Sequence, residues 1–270
     1  MSPMKVRPRI WIARSLVTAG RFVQSLALMV MRPDDLIEFG RRTYSETEGV
    51  DGWTAERLVD SGLMDGEREL VDSLPLKQGH LLLLGVGGGR EAIPLARMGF
   101  RVTGVDFVPA MVRRAEDNAR RRGVPLTGVV QEISRIDFPA ESFDVIILSA
   151  AMYSCVPTRR RRVEMLRRIR LALKPGGFFL CQFHWDPEYK PNPRGEIIRK
   201  IIAFLSLGNL EYERGDMLWG SAEFIHAFGS EEEARREFSE GEFELVKLHL
   251  PDGTLRGGAV LKKLGEKAWT

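Results

Sequence analysis

Two cysteines in 270 residues, Cys155 and Cys181, leave no material for a disulfide framework. Both fall in apolar segments, so a reducing, cytoplasmic compartment is expected. Histidine is scarce as well, with four in the chain. No Cys/His cluster has the spacing of metal ligands, so no metal is expected. No Ser/His/Asp order suggests a hydrolase elbow. Internal repeats and low-complexity stretches are absent. Acidic residues are missing from residues 1–33, which hold Lys5, Arg7, Arg9, Arg14, Arg21 and Arg32; the overall charge of +3 therefore hides a slightly acidic remainder.

Long uninterrupted apolar runs are lacking too. The nearest, Ile10 to Met31, is broken by Arg14 and Arg21, and no small-residue cleavage pattern stands out, so a spanning or cleaved segment is the least expected reading. On a helix, Arg14, Thr18, Arg21 and Ser25 share one narrow stripe and leave a wide apolar face. Such a helix could pack on its own domain, on a second subunit in a homo-oligomer, or on a membrane surface, with Trp11 near its start.

What the chain does have is concentrated between His80 and Asp106. Leu81 to Leu84 reads as a short strand buried on both faces. Gly85, Gly87, Gly88 and Gly89 follow at once, where a tight bend needs residues without a Cβ. Glu91 to Met98 has helical spacing and stops at Gly99. Arg101 to Val105 is a second strand that delivers Asp106 at its carboxyl end. Strand, glycine loop, helix, strand and acid make a βαβ nucleotide site. A dinucleotide fingerprint would need its third glycine at Arg90, which weakens that alternative.

The spacing Gly85-x-Gly87-x-Gly89 resembles the first motif of class I S-adenosylmethionine-dependent methyltransferases. Later segments add to the resemblance. Glu132 and Ile133 end a third strand, Thr127 to Val130. Phe143-Asp144 opens a fourth, to Ser149. Lys174-Pro175-Gly176-Gly177 turns a helix into a fifth, Phe178 to Phe183. Phe243 to Leu250 and Thr254 to Leu264 flank a Pro251-Asp252-Gly253 turn, preceded by a helix that opens on a Ser230/Glu233 capping box. The resemblance implies an α/β fold: a Rossmann-like, mostly parallel seven-stranded sheet with an antiparallel last strand and helices on both faces.

The charge and apolar pattern set off a basic N-terminal helix over 1–33, and the resemblance implies a methyltransferase domain over 34–270. Within the latter, cap helices cover 34–78 and an acceptor-side insertion covers 186–229. By position, S-adenosyl-L-methionine would be held by Gly85, Val86, Gly87, Gly89, Asp106, Phe107, Met111, Glu132, Ile133 and Ser149. Leu83 stands where the family often has an acid. Asp144, at the far end of its strand, is expected to be structural.

The implied reaction is transfer of a methyl group to a small-molecule acceptor by in-line displacement. A neutral oxygen or nitrogen acceptor needs a base, whereas a thiolate or carboxylate needs none. His184 is the first candidate base, followed by Tyr153 and His226. Tyr44, Tyr153, Trp185 and Trp219 are candidate acceptor-pocket residues; Tyr189, Tyr212 and His226 could line the same pocket, and Tyr44 and Trp53 are candidate lid residues. No Asn/Asp-Pro-Pro-aromatic motif follows the fourth strand, against amino-group methylation of that style. Competing readings are a non-catalytic scaffold on the same fold, an aminopropyl-type transferase and an RNA methyltransferase. Nucleic acid is not expected as a partner, because the arginine clusters Arg120 to Arg122 and Arg159 to Arg162 lie at helix ends without stacking motifs.

Overall fold

Leu81 to Leu84 are wholly buried, as a strand covered on both faces must be. They form the centre of a sheet in a computed structural model that describes residues 8–188, 193–219, 223–253 and 255–264. Five parallel strands come first: β1 (Gly79–Leu84), β2 (Phe100–Asp106), β3 (Leu126–Val130), β4 (Phe143–Leu148) and β5 (Leu173–Trp185). They lie in the order β3-β2-β1-β4-β5. The order reverses between β1 and β4, which opens a crevice at the carboxyl edge where this architecture binds its ligand.

A hairpin closes the far side. β8 (Phe243–His249) pairs antiparallel with β9 (Leu255–Lys263), and β9 pairs antiparallel with β5. The last strand thus inserts beside β5, as the resemblance implies. A smaller hairpin, β6 (Asp216–Trp219) with β7 (Glu223–Phe228), is added. β7 joins β5 only at His184 and Trp185, just beyond the end of β4. The expected acceptor-side insertion over 186–229 therefore includes this hairpin.

Helices cover both faces. α1 (Pro8–Val30), α2 (Pro33–Ser45), α3 (Thr47–Thr54), α4 (Glu56–Ser61) and α5 (Asp65–Asp72) precede the sheet. Within the expected cap over 34–78, the glycine-containing stretch at 48–52 is part of helix α3, and α4 ends where Gly62 takes φ +65. α6 (Ala92–Arg97) and α7 (Pro109–Arg121) follow β1 and β2; α8 (Arg159–Ala172) and α9 (Pro193–Ser206) flank β5; and α10 (Glu231–Glu240) leads into the final hairpin. Ser230 caps α10 by accepting from the Glu233 N–H at 3.2 Å, while Glu233 accepts from the Gly229 N–H at 3.0 Å.

One core layer, with Phe179, Phe183, Phe228 and Phe238, packs α8 and α10 on the sheet. The opposite layer, with Leu70, Leu95, Leu180 and Val260, packs α5 and α6. Asp144 binds Lys174 Nζ at 2.8 Å and the His80 N–H at 2.8 Å, away from the crevice, a structural role. His80, at that same edge, is held by Ser142 O and Thr103 Oγ1.

The arginines that open α8 are compensated one by one. Arg159 meets Glu240, Arg160 meets Glu211, and Arg161 meets Asp34. Arg162, buried, meets Glu237 at 2.7 Å and Glu213 at 3.1 Å. The helix dipole disfavours positive charge there, and carboxylates from α2, α10 and the 211–213 segment offset it.

Candidate active site

The β1 carbonyl edge ends where Gly85 turns. Its φ of +82 lies in the left-handed region, and a Cβ there would collide with Met152 Sδ. The Gly85 and Val86 N–H groups donate to Val105 O, both at 2.8 Å, binding the bend to β2. Gly88 is packed as closely, since a Cβ would strike the Trp53 carbonyl and Thr54 of α3. Gly87 differs: at φ +49 it has nothing within 4 Å of where a Cβ would sit. The bend is thus fixed on both sides and open at its middle.

Asp106 reaches across this opening. Its Oδ2 accepts from the Gly87 N–H and its Oδ1 from the Val108 N–H, both at 3.0 Å. Burial raises the carboxyl above the usual range, against the backbone N–H bonds that favour its charged form. Each oxygen retains a lone pair for a hydroxyl. Phe107, Val108 and Met111 continue the wall into an apolar patch shared with Tyr44 and Val50. Glu132 accepts from Ser134 N and Oγ, both at 2.8 Å, so its carboxylate is fixed at the end of β3 beside the buried Ile133.

Below the bend lies a buried charged chain that the sequence reading missed. Arg90 donates to both oxygens of Glu67 at 2.7 Å and to Glu91 Oε1 at 2.5 Å. Glu91 Oε1 also accepts from Ser149 Oγ. Burial is the main reason that the Glu91 carboxyl is pushed up to about 7, with Arg90 opposing and Glu67 adding to the rise. Glu67, Glu91, Ser149 and Gln182 line a cleft under the crevice. Leu83 sits wholly inside the core, packed toward α5 and α6, which explains why an acid would not be accommodated there.

The structure divides the candidate acceptor residues. Tyr153 is fully buried; its hydroxyl donates to Glu237 Oε1 at 2.6 Å, and its ring packs on Phe228 and Phe238. His226 is fully buried as well, with Nδ1 at 2.8 Å from Asp216 Oδ1. Burial and Arg162 push its pKa down, but the bonds to Asp216 and Glu233 outweigh them and it ends raised. Neither side chain reaches the crevice, which corrects their expected place. Trp185 packs in the main core, facing away from His184 by strand alternation. Tyr212 is with the α1–α9 cluster. Trp219 pairs with Glu223 through its backbone, but its side chain, like all of Tyr189, lies outside the described residues.

Tyr44 and His184 remain, and they share a polar group with three residues not anticipated. Tyr44, edge-on to Trp53 at 6.2 Å, places its phenol against the Glu223 carboxylate; burial and that carboxylate raise its pKa. Cys155, on the turn Met152–Cys155 after β4, has Sγ 3.3 Å from Glu223 Oε1. Burial and Glu223 push that thiol up. His184 lies beside Arg256 across the β5–β9 ladder, and burial and Arg256 lower its pKa while Glu223 raises it. Glu223 and Arg256 escaped notice because β7 and β9 come to β5 only in three dimensions.

Comparison with known proteins fits this geometry. Residues 81–177 match the family described as a methyltransferase domain. The chain is 36% identical over 108 residues to a ubiquinone biosynthesis O-methyltransferase of Methylobacterium nodulans, covering 40% of this chain and 42% of that one. It is 41% identical over 100 residues to the protein of that name from Paramagnetospirillum magneticum, 37% of this chain and 38% of the other. The chain thus spans less than half the length of these curated relatives. Among solved structures, a SAM-dependent methyltransferase from Methanosarcina mazei superposes with TM-score 0.59 at 21% identity, covering 76% of this chain and 100% of its own, a likeness of fold.

Proposed function

We propose that the chain is a class I S-adenosylmethionine-dependent methyltransferase, as the match of residues 81–177 to a methyltransferase domain suggests, and that it transfers a methyl group from S-adenosyl-L-methionine to a hydroxyl of a small-molecule acceptor. The observation that supports this best is the glycine bend, packed at Gly85 and Gly88 but open at Gly87, with the Asp106 carboxylate held across it.

The residues present fit the cofactor. Gly85, Val86, Gly87 and Gly89 would offer it their backbone, with the Val86 side chain packed into the core and open space at Gly87. Asp106 has acceptor capacity for the ribose hydroxyls. Phe107, Met111 and Ile133 offer apolar walls to the base, Glu132 an acceptor for its amino group, and Ser149 the floor beneath the methionine part. When bound, the cofactor supplies a methyl on a sulfonium, already electrophilic and departing from a neutral thioether.

The chain's task is then to orient the acceptor and deal with its proton. His184, with its pKa lowered by burial and Arg256, is neutral at pH 7 and can take a proton. Glu223 stabilises the imidazolium that results, and Tyr44 and Cys155 hold that carboxylate in place by donating to it. Arg256 provides positive charge beside an acceptor oxygen as its proton leaves. The relatives' names, O-methyltransferases, agree with an oxygen acceptor. A scaffold role is disfavoured by this built polar group, and an RNA substrate by the one-to-one neutralisation of Arg159 to Arg162.

Titration calorimetry with S-adenosylmethionine and S-adenosylhomocysteine tests the cofactor half. We expect both to bind, and Asp106→Asn to weaken both by about 10–100-fold, as when a charged hydrogen-bonding partner worth roughly 1.5–3 kcal/mol is lost. Radiolabelled methyl transfer to a panel of phenols and other hydroxylated small molecules tests the rest. Absence of binding sinks the whole reading; binding without turnover on any acceptor leaves the scaffold alternative.

A further inference from the structure

α1 has 23 residues, yet only its last turns are packed. Leu28 and Met29 are buried against Ala203 of α9 and Phe224 of β7, and Gly208 passes so close to the Met29 carbonyl that a Cβ would overlap it. The Asn209 N–H donates to that same carbonyl at 2.9 Å. Ahead of this anchor none of the described residues buries the helix. Trp11 and Leu16 are each 67% exposed and Val23 64%. α9 adds a second apolar row beside the anchor, with Phe204 at 69% and Leu205 at 74% exposed. Two joined helices therefore leave a broad hydrocarbon surface far beyond the scattered apolar residues of an ordinary monomer.

The polar residues say what covers it. Thr18 and Ser25 spend their hydroxyls on the helix's own carbonyls, Arg14 O at 2.9 Å and Phe22 O at 2.7 Å. The charges left on residues 1–33 are six cations and no anion. A symmetric dimer through α1 would set like charge against like charge, because both copies offer the same patch. An anionic bilayer surface complements both features: basic side chains meet lipid phosphates while Trp11, Leu16 and their neighbours enter the acyl boundary. No helix among the described residues is long and apolar enough to cross a membrane, which matches a helix lying in the surface plane.

We propose that the α1–α9 surface docks this protein peripherally on anionic lipid bilayers. The anchor packs on Phe224, next in the chain to Glu223 of the polar group, so docking brings the β6–β7 hairpin close to the lipid. The proposal does not depend on the methyl-transfer reading and is tested separately from it.

The full chain is sedimented with vesicles of phosphatidylcholine alone and of phosphatidylcholine mixed equally with phosphatidylglycerol, and its mass is measured by light scattering. Expected is recovery with the anionic vesicles at least about tenfold above that with neutral ones, and release at high salt. Leu16→Glu with Val23→Glu should abolish recovery, and Arg14→Ser should weaken it about fivefold. Both variants alter exposed positions, so their thermal unfolding should match the parent. Failure to sediment with anionic vesicles overturns the proposal, as does equal recovery with neutral vesicles or recovery unchanged in the double variant. A dimeric mass that falls to the monomer in Leu16→Glu would also overturn it and assign the surface to a second copy of the chain.

Discussion

The proposed role of His184 as a base requires a neutral imidazole, and its surroundings favour that form. Burial and the Arg256 guanidinium both disfavour the cation, so its pKa lies below the ordinary 6.5. Turnover should be level at neutral pH and above, then fall as acid protonates the ring at a pH below that value. His184→Asn removes the proton acceptor at similar bulk. We expect kcat to fall by about 10²–10⁴ with the acid limb lost, while calorimetric affinity for S-adenosylmethionine stays at the parent value. An unchanged kcat would mean that the acceptor arrives already deprotonated. Tyr153, on the turn after β4, gives the contrast. Its hydroxyl is spent on Glu237, the carboxylate that also neutralises the buried Arg162 at 2.7 Å. Sequence marks both tyrosine and histidine as polar-tipped residues after a strand. It does not reveal that Glu237, 84 positions later in the chain, takes the tyrosine inward.

At the level of elements, the bend after β1 is held by contacts that differ from one glycine to the next. Gly85 combines φ +82 with a Met152 side chain where a Cβ would go. Gly85→Ala must displace the Met152–Cys155 turn, so both stability and cofactor affinity should drop. Gly87→Ala meets only open space, and its left-handed φ costs roughly 1–2 kcal/mol. It should fold with a modest loss in urea denaturation yet bind S-adenosylmethionine at least tenfold more weakly, since the methyl occupies the cradle. If Gly87→Ala bound the cofactor at parental strength, the ligand would have to lie elsewhere. Such elements were legible in the sequence because their causes are local: a four-leucine run, clustered glycines, an acid at a strand's end, a serine three residues before a glutamate. In the β6–β7 hairpin, β7 is legible from its apolar run Phe224 to Phe228, whereas β6 ends a polar stretch and is defined by its pairing with β7. The polar group around Glu223 was legible only in Tyr44 and His184, because Cys155, Glu223 and Arg256 reach them from three separate segments.

Over the whole molecule, the cap helices are joined to the sheet by a charged chain that runs through the interior. Glu67 of α5 grips Arg90 after the glycine bend; Arg90 grips Glu91, and Glu91 grips Ser149 at the end of β4. Three charged groups in a row leave an excess of one negative charge, which burial resists, and Glu91 answers by holding its proton up to about 7 instead of the ordinary 4.5. A carboxyl whose folded pKa is raised stabilises the fold fully below its unfolded value and loses that contribution as pH rises through the folded one. Glu91 therefore favours the folded state below about pH 4.5, loses that contribution progressively as pH rises to about 7, and adds no further change above that. Salt-bridged carboxylates such as Asp34 act in the opposite sense, failing only in acid, so the parent's pH profile alone would mix the two. Glu91→Gln separates them: it keeps an acceptor for Arg90 and Ser149, leaves Arg90 its two bonds to Glu67, and does not titrate. Urea denaturation at pH 5 and pH 8 should show the parent losing on the order of 2–3 kcal/mol more than the variant between these pH values. Equal losses in the two proteins would show that Glu91 is already ionised at pH 5, and that the link between cap and sheet carries its full charge at every pH where the protein folds.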